Sequence, residues 1–302
     1  MAVAPNPALG YKGAMTGSIP RRHLVLDSFA RSIAELTEAL ETDGFVSALL
    51  GAVQRLVHAD FVMVFGYQGS EQPLMLGDTL DRERHGVIAE DYTNGPYLLD
   101  PFYQLVEDGR QEGCFRLHDI APDRFRQSEY YRTHYKRTGI GEEVGFVFAA
   151  GRGIIGVASL ARWNSSPALS RDELEILQAI EPALRSLCAR HWGRITRARL
   201  VSADTAGAGA VVTLEEFGGG VLSARERQIM TMILQGHSTQ SLAHHLDISP
   251  GTVKIHRKNV YRKLNISTQA ELFAAYLAFV QARPEGARLF PGGYTRKRPS
   301  LG

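Results

Sequence analysis

Apolar residues recur along this chain with two periods. In SFARSIAELTEAL, Phe29, Ile33, Leu36 and Leu40 stand four, three and four apart. That is one face of a helix, and Ser28 can cap it. Phe45, Leu49, Val53 and Leu56 repeat the pattern in a second helix. FVMVFGY (61–67) is short, apolar and rich in β-formers, as a strand requires. Residues 128–137 read as helix, then VGFVFAA (144–150) and IIGVASLARW (154–163) as two strands. Ser170-Arg171-Asp172-Glu173 is a capping box opening a long helix toward His191, with Pro182 expected to kink it.

Between the two strands, Gly151-Arg152-Gly153-Ile154-Ile155-Gly156 matches G-x-G-x-x-G in form. A dinucleotide fingerprint must follow a strand and open a helix. Here the residues after the glycines are β-formers, so the glycines read as a hairpin turn. The pattern predicts an α/β domain, an antiparallel sheet flanked by helices, of the GAF or PAS sensory kind.

From residue 222 onward every periodic segment is helical. Ser223-Ala224-Arg225-Glu226 is a capping box. Met232, Ile229 and Ile233 give its helix an apolar face, and Gly236 ends it. Ser238 or Thr239 starts a short helix with Leu242, Ala243 and Leu246 inward. Ser249 caps a third, with Pro250 at its first position and Val253, Val260 and Leu264 on one face. Thr268-Gln269-Ala270-Glu271 opens a fourth, to about Val280. Helix, short turn, helix is the helix-turn-helix unit.

Composition adds an asymmetry. The net charge is only +2, but residues 222–302 hold 12 Lys and Arg against four Asp and Glu, and the remainder 22 against 28. A basic end on an acidic body suggests a polyanion-binding module. Five of those cations, Lys254, Arg257, Lys258, Arg262 and Lys263, fall on the third helix, mostly off its apolar stripe. A helix apolar on one side and cationic on the other fits a major groove.

The expected division follows. Residues 1–22 form a disordered leader, 23–200 the α/β domain, 201–220 a Gly- and Ala-rich linker, 221–281 the helical domain and 282–302 a basic tail. No apolar run approaches the ~20 residues that span a bilayer, so a cytoplasmic protein with no membrane partner is expected. Cys114 and Cys188 read as buried apolar thiols, and the adjacent His244 and His245 as no metal site. G-x-S-x-G, H-E-x-x-H and the P-loop are missing, so neither an enzyme, a cofactor nor a metal is expected.

LSARERQI, then LA-x-x-L-x-IS, then TVK-x-H-x-x-N-x-x-x-KL, resembles the LuxR-type (GerE-type) DNA-binding domain across about 50 residues. Gln240-Ser241 stand where that family often has Lys-Glu. The resemblance implies an all-α four-helix domain that dimerises through its last helix and binds pseudo-palindromic double-stranded DNA. It implies that Lys254, Ile255 and Lys258 face the groove and that Thr252, Arg257 and Lys263 touch phosphates. A homodimer follows, with RNA polymerase as a candidate partner.

Upstream, Tyr97-Leu98-Leu99-Asp100-Pro101 resembles the Asp-Pro step of acyl-homoserine lactone receptors. Phe115 stands where those proteins have Trp, and Val87 falls near their upstream Trp. Three readings stay open: an acyl lactone, another apolar or aromatic effector, or a ligand-independent dimerisation and docking module. The candidate lining is Tyr92, Tyr97, Asp100, Phe102, Tyr103, Phe115, Phe146 and Trp163. Asp100 is either the polar anchor or the cap of a helix beginning at Pro101.

Overall fold

The computed structural model describes residues 21–69, 71–203, 214 and 216–281; of 21–25, 195–203 and 281 it describes the backbone alone. The expected tail, nearly all of the leader and much of the linker lie outside the described residues. The framework is an antiparallel sheet in the order β2-β1-β5-β4-β3. Its strands are β1 (Phe61–Tyr67), β2 (Leu74–Asp78), β3 (Gly113–Arg116), β4 (Ile140–Gly151) and β5 (Ile154–Trp163). The long β4–β5 hairpin and β1 form its centre. The sequence pattern did not mark β2 and β3, which are short, half-buried edge strands without alternation.

The sheet is buried on both faces, and the period of two sorts its residues between two cores. Val62, Val64, Val144, Phe146, Phe148, Ala158 and Leu160 point to one side. There they meet α1 (Arg21–Glu38), α2 (Phe45–Gln54) and α8 (Arg171–Ala203). Phe61, Met63, Phe65, Tyr67, Val147, Val157 and Ala161 point to the other. That side is covered by short helices: α3 (Arg82–His85), α4 (Asp91–Thr93), α5 (Pro101–Glu107), α6 (Leu117–Ile120) and α7 (Lys136–Thr138). Between these lie π turns at Gly86–Glu90 and Tyr131–Tyr135 and a 3₁₀ turn at Pro96–Leu99.

The β4–β5 turn is a tight hairpin with φ of 53° at Arg152 and 78° at Gly153. Two positive φ values in succession are what an I′ turn needs, so the glycines serve a turn and not a phosphate cradle. The α8 capping box forms, Ser170 N–H donating to Glu173 Oε2 at 2.9 Å. The helix runs past His191 to Ala203 with Pro182 inside it. Two expectations need correction. α1 begins at Arg21, so Ser28 sits within the helix and caps nothing; its carbonyl accepts the Ser32 hydroxyl at 2.9 Å. Cys188 is buried, but Cys114, on an edge strand, is only half-buried.

The C-terminal helices are α9 (Ala224–Gln235), α10 (Thr239–His245), α11 (Pro250–Leu264) and α12 (Gln269–Gln281). Ser223 and Glu226 complete their capping box, Ser238 accepts from Ser241 N–H, and Ser249 accepts from Thr252 N–H. Gly236 ends α9 in the left-handed conformation at φ 100°. Ile229, Met230, Ile233, Val253, Val260, Leu272 and Tyr276 are buried together. Met230 takes the inward place expected of Met232, which is half-buried, as is Leu264.

Close packing meets the sheet at Gly145, where a Cβ would lie 2.4 Å from Phe102 Cε1. Overpacking a filled core costs about 1–3 kcal/mol. Gly145→Ala should therefore lower the unfolding free energy by that much, seen as a lower urea midpoint with an unchanged slope; unaltered stability would show that Phe102 is not confined there.

Candidate functional site

Two groups of candidate side chains emerge, one on a helix surface and one inside the α/β layer. On α11, Val253 and Val260 are fully buried and anchor the helix to the bundle. The opposite side presents Lys254, Lys258 and Ile255, the last an isoleucine left 62% exposed. A large apolar side chain between two lysines at the start of a helix is suited to base methyl groups flanked by phosphates. Thr252 is half-buried, and its hydroxyl hydrogen-bonds Ser249 Oγ at 2.9 Å. Arg257 stacks its guanidinium over the Tyr261 ring at 5.3 Å, which fixes its direction. Lys263, expected to touch phosphate, donates its ammonium to the buried Glu226 at 2.7 Å. That bond, with the Ser223 backbone N–H, holds the Glu226 carboxyl down to about 2.

The second group lies between the sheet and the segment 86–135. Here a cavity is walled by Met63, Phe65, Tyr67, Ile88, Tyr92, Asp100, Phe102, His134, Tyr135, Ile140, Glu143 and Ser159. Its open centre is about 20 Å³, room for about one water molecule. Asp100 uses both oxygens: Oδ1 accepts the Phe102 N–H at 2.7 Å and caps α5, while Oδ2 accepts the Tyr130 hydroxyl at 2.8 Å. The cap and the anchor are thus one carboxyl. Tyr135 donates to Glu143 at 2.8 Å and stands 3.5 Å from Asp100 Oδ2. The hydroxyls of Tyr67 and Tyr92 bond each other at 2.7 Å.

Burial dominates the electrostatics. It raises Asp100 above the usual carboxylate range against hydrogen bonds that work the other way. Burial and then the charge of Asp100 raise Glu143. Burial, followed by Arg137, lowers His134 to about 4, so its imidazole is neutral at pH 7.

Of the eight lining candidates, Tyr92, Asp100 and Phe102 lie on the cavity. Tyr97 and Tyr103 are buried behind it, in contact with each other at 5.2 Å, and Tyr103 touches Tyr67. Phe146 is on the opposite face of the sheet, in the α1–α2–α8 core. Strand alternation demands this, because Phe146 is three residues from the cavity-facing Glu143. Phe115 is half-buried on edge strand β3, and Trp163 stacks on Phe61 at 4.2 Å with Arg84 above it. Glu143, Ser159, Tyr135 and His134 were not anticipated. The one available signal was an acid at an inward position of a strand.

The two groups are connected. Tyr276 of α12 donates its hydroxyl to the carbonyl of Gly95 at 2.9 Å. A Cβ on Gly95 would meet Val280 at 2.5 Å. Asp123 accepts the Ser238 N–H at 2.9 Å at the start of α10, and Arg124 N–H donates to the Gly236 carbonyl at 3.0 Å. Burial works to raise Asp123, but its bonds to the Ser238 hydroxyl and N–H hold it low.

A capped helix-turn-helix with an exposed cationic second helix defines a DNA-binding transcriptional regulator. The comparisons give its family. Residues 220–275 match "Bacterial regulatory proteins, luxR family". An HTH-type transcriptional regulator in the exeN 3′ region of Aeromonas salmonicida is 34% identical over 192 residues, covering 62% of this chain and 97% of that protein. The response regulator protein TodT of Pseudomonas putida is 31% identical over 136 residues, 44% of this chain and 53% of TodT. This chain therefore spans about half of TodT. Among solved structures, the VqsR LBD domain of Pseudomonas aeruginosa is similar at 24% identity and a TM-score of 0.48, covering 54% of this chain and 96% of that one. The chain belongs to the luxR family of bacterial regulatory proteins.

Among the described residues no cluster of metal-ligating side chains occurs, and no helix is long and apolar enough to cross a membrane.

Because Glu226 is held near 2 in the fold against 4.5 for an ordinary Glu, its stabilisation is complete above pH 4.5 and is lost as pH falls from there toward 2. Glu226→Gln should flatten that limb of the stability–pH curve and cost about 1–3 kcal/mol at pH 7. Circular dichroism melts across pH would show an unchanged limb if the ion pair were immaterial.

Proposed function

We propose that this regulator acts as a homodimer in the cytoplasm, and that its α/β part senses a small apolar or aromatic molecule and adjusts promoter binding. The functional parts are residues 23–200 for sensing and 221–281 for DNA. On α11, Lys254, Ile255 and Lys258 face base edges, while Thr252 and Arg257 contact phosphates; Lys263, engaged by Glu226, is the weakest of the six contacts. RNA polymerase is a partner once the dimer is seated on a promoter.

One observation carries the sensing reading. A cavity with apolar walls and a few fixed polar groups sits five residues along the chain from the loop that holds α12. Sites of that composition are how folded domains take small ligands. A differential of about 1–3 kcal/mol between two postures changes occupancy some 5- to 150-fold, so small movements beside Asp100 suffice.

Two measurements test this. Full-length protein titrated onto genomic fragments should give two-fold symmetric footprints with half-sites about 34 Å apart. Lys258→Ala should cost about 1–3 kcal/mol on the specific site if it reads a base. Equal weakening on every sequence would reduce it to a phosphate contact. Melting the protein against a metabolite panel should reveal at least one stabilising compound. A flat panel, with DNA binding intact, would favour the ligand-independent docking module.

A further inference from the structure

We propose that the loop 122–126 of the α/β layer is a second DNA-contacting element, its Arg124 and Arg126 each meeting a backbone phosphate of duplex DNA beside the groove that α11 enters. The inference rests on the reading of α11 above and adds a surface outside residues 221–281.

Position comes first. The loop is joined to the turn between α9 and α10, where the helix-turn-helix begins. Arg124 N–H donates to the Gly236 carbonyl at 3.0 Å, and Asp123 Oδ1 accepts the Ser238 N–H at 2.9 Å. A Cβ on Gly236 would lie 2.9 Å from the Phe125 Cα, so the two backbones touch there. In a helix-turn-helix the first helix crosses the DNA backbone while the second lies in the groove. Here the first is α10, seven residues and so about 10 Å long. A major groove is about 12 Å wide. From the reading helix, α10 therefore carries the chain back to the phosphate ridge, and the loop lies at its far end.

Charge is a second and independent observation. The body outside residues 222–302 is acidic, yet residues 124–137 hold five Lys and Arg against one acid, Glu129. Arg132 is paired with that Glu129, and Arg137 with Asp91. Arg124, Arg126 and Lys136 are exposed and form no ion pair among the described residues. The loop's one acid, Asp123, is taken up by Ser238, and Arg124 bears on it only through space. Two arginines against that acid leave the loop cationic. Unpaired cations on an acidic body, set against a DNA-binding unit, suit a polyanion.

The loop is also stiff. Phe125 is 4% exposed and packs its ring on Tyr130, Tyr131 and Tyr135. Phe125 N–H donates to the Pro122 carbonyl at 2.9 Å, and Gln127 N–H to the Arg124 carbonyl at 2.8 Å. A backbone already ordered loses little freedom when DNA arrives.

A phosphate contact carries no sequence information and shows in the salt dependence. The experiment is fluorescence anisotropy of the full chain on a random-sequence duplex of about 40 base pairs, room for two half-sites one turn apart and their flanks. KCl is varied from about 50 to 200 mM. Arg124→Gln with Arg126→Gln should make log affinity against log salt less steep by about two for each protomer bound, and weaken binding about ten-fold or more at the lowest salt. Arg124→Lys with Arg126→Lys should keep the parent slope, because a phosphate asks only for a cation. The Gln pair should melt as the parent does, since both side chains are exposed and the bond to Gly236 is made by backbone. Arg31→Gln with Arg171→Gln removes the same charge from α1 and α8, on the other face of the sheet, and should leave the slope as it was.

An unchanged slope in the Arg124 and Arg126 variant, tighter binding by it, or an equal change in the Arg31 and Arg171 variant overturns the proposal. Lys258→Ala separates the two readings. If it weakens binding and the loop variant does not, α11 stands and the loop falls. If Lys258→Ala binds as the parent does, or the parent fails to bind at the lowest salt, both fall.

Discussion

A carboxyl removed from water has to be solvated by the protein around it, and here that demand falls on Asp100. One oxygen takes the backbone N–H that begins α5, and the other takes the Tyr130 hydroxyl from thirty residues away. Satisfying a single buried acid therefore ties the 86–107 segment to the 125–138 segment over the face of the sheet. Neither segment contains a helix long enough to be stable by itself. The aromatic contacts of Tyr130 with Phe125, His134 and Tyr135 accumulate around the same point. An unpartnered acid at this site would cost more than a missing methylene in the core, because a desolvated charge keeps its whole penalty.

The two faces of the sheet carry different duties. The face under α1, α2 and α8 is filled by Phe146, Phe148, Trp192 and aliphatic residues. The other carries hydroxyls, acids and the cavity, and its apolar residues continue without interruption into the C-terminal bundle.

How much of this was legible in the sequence varied with the kind of signal. The C-terminal helices could be read almost residue by residue, since Ser223, Ser238, Ser249, Pro250 and Gly236 each mark a terminus by local chemistry. β1 and the β4–β5 hairpin were legible because apolar, β-forming runs marked the strands and Gly151 and Gly153, both at positive φ, marked the turn between β4 and β5. Edge strands β2 and β3 were not, being too short and too evenly half-buried to alternate. Ser28 misled for a related reason: a good capping residue says nothing when the helix has already begun. The interior site was read in part. Asp100 stood out beside Pro101, but Phe146 was assigned to the cavity by its aromatic character and not by its parity along the strand. Parity would have selected Glu143 instead. The partner of Lys263 was not legible either, because Glu226 stands thirty-seven residues earlier in the chain.

The hydrogen bond from Tyr276 to Gly95 joins the last helix of the bundle to the segment beside Asp100. Gly95 stands five positions before Asp100, with Tyr97 and its ring contacts between them. Thermodynamic linkage runs in both directions. Whatever factor an occupant of the interior applies to the grip on a promoter, the promoter applies to the occupant's retention. The sign is shared as well: an occupant that tightens the grip on a promoter is itself bound more tightly there, and one that loosens the grip is bound less tightly.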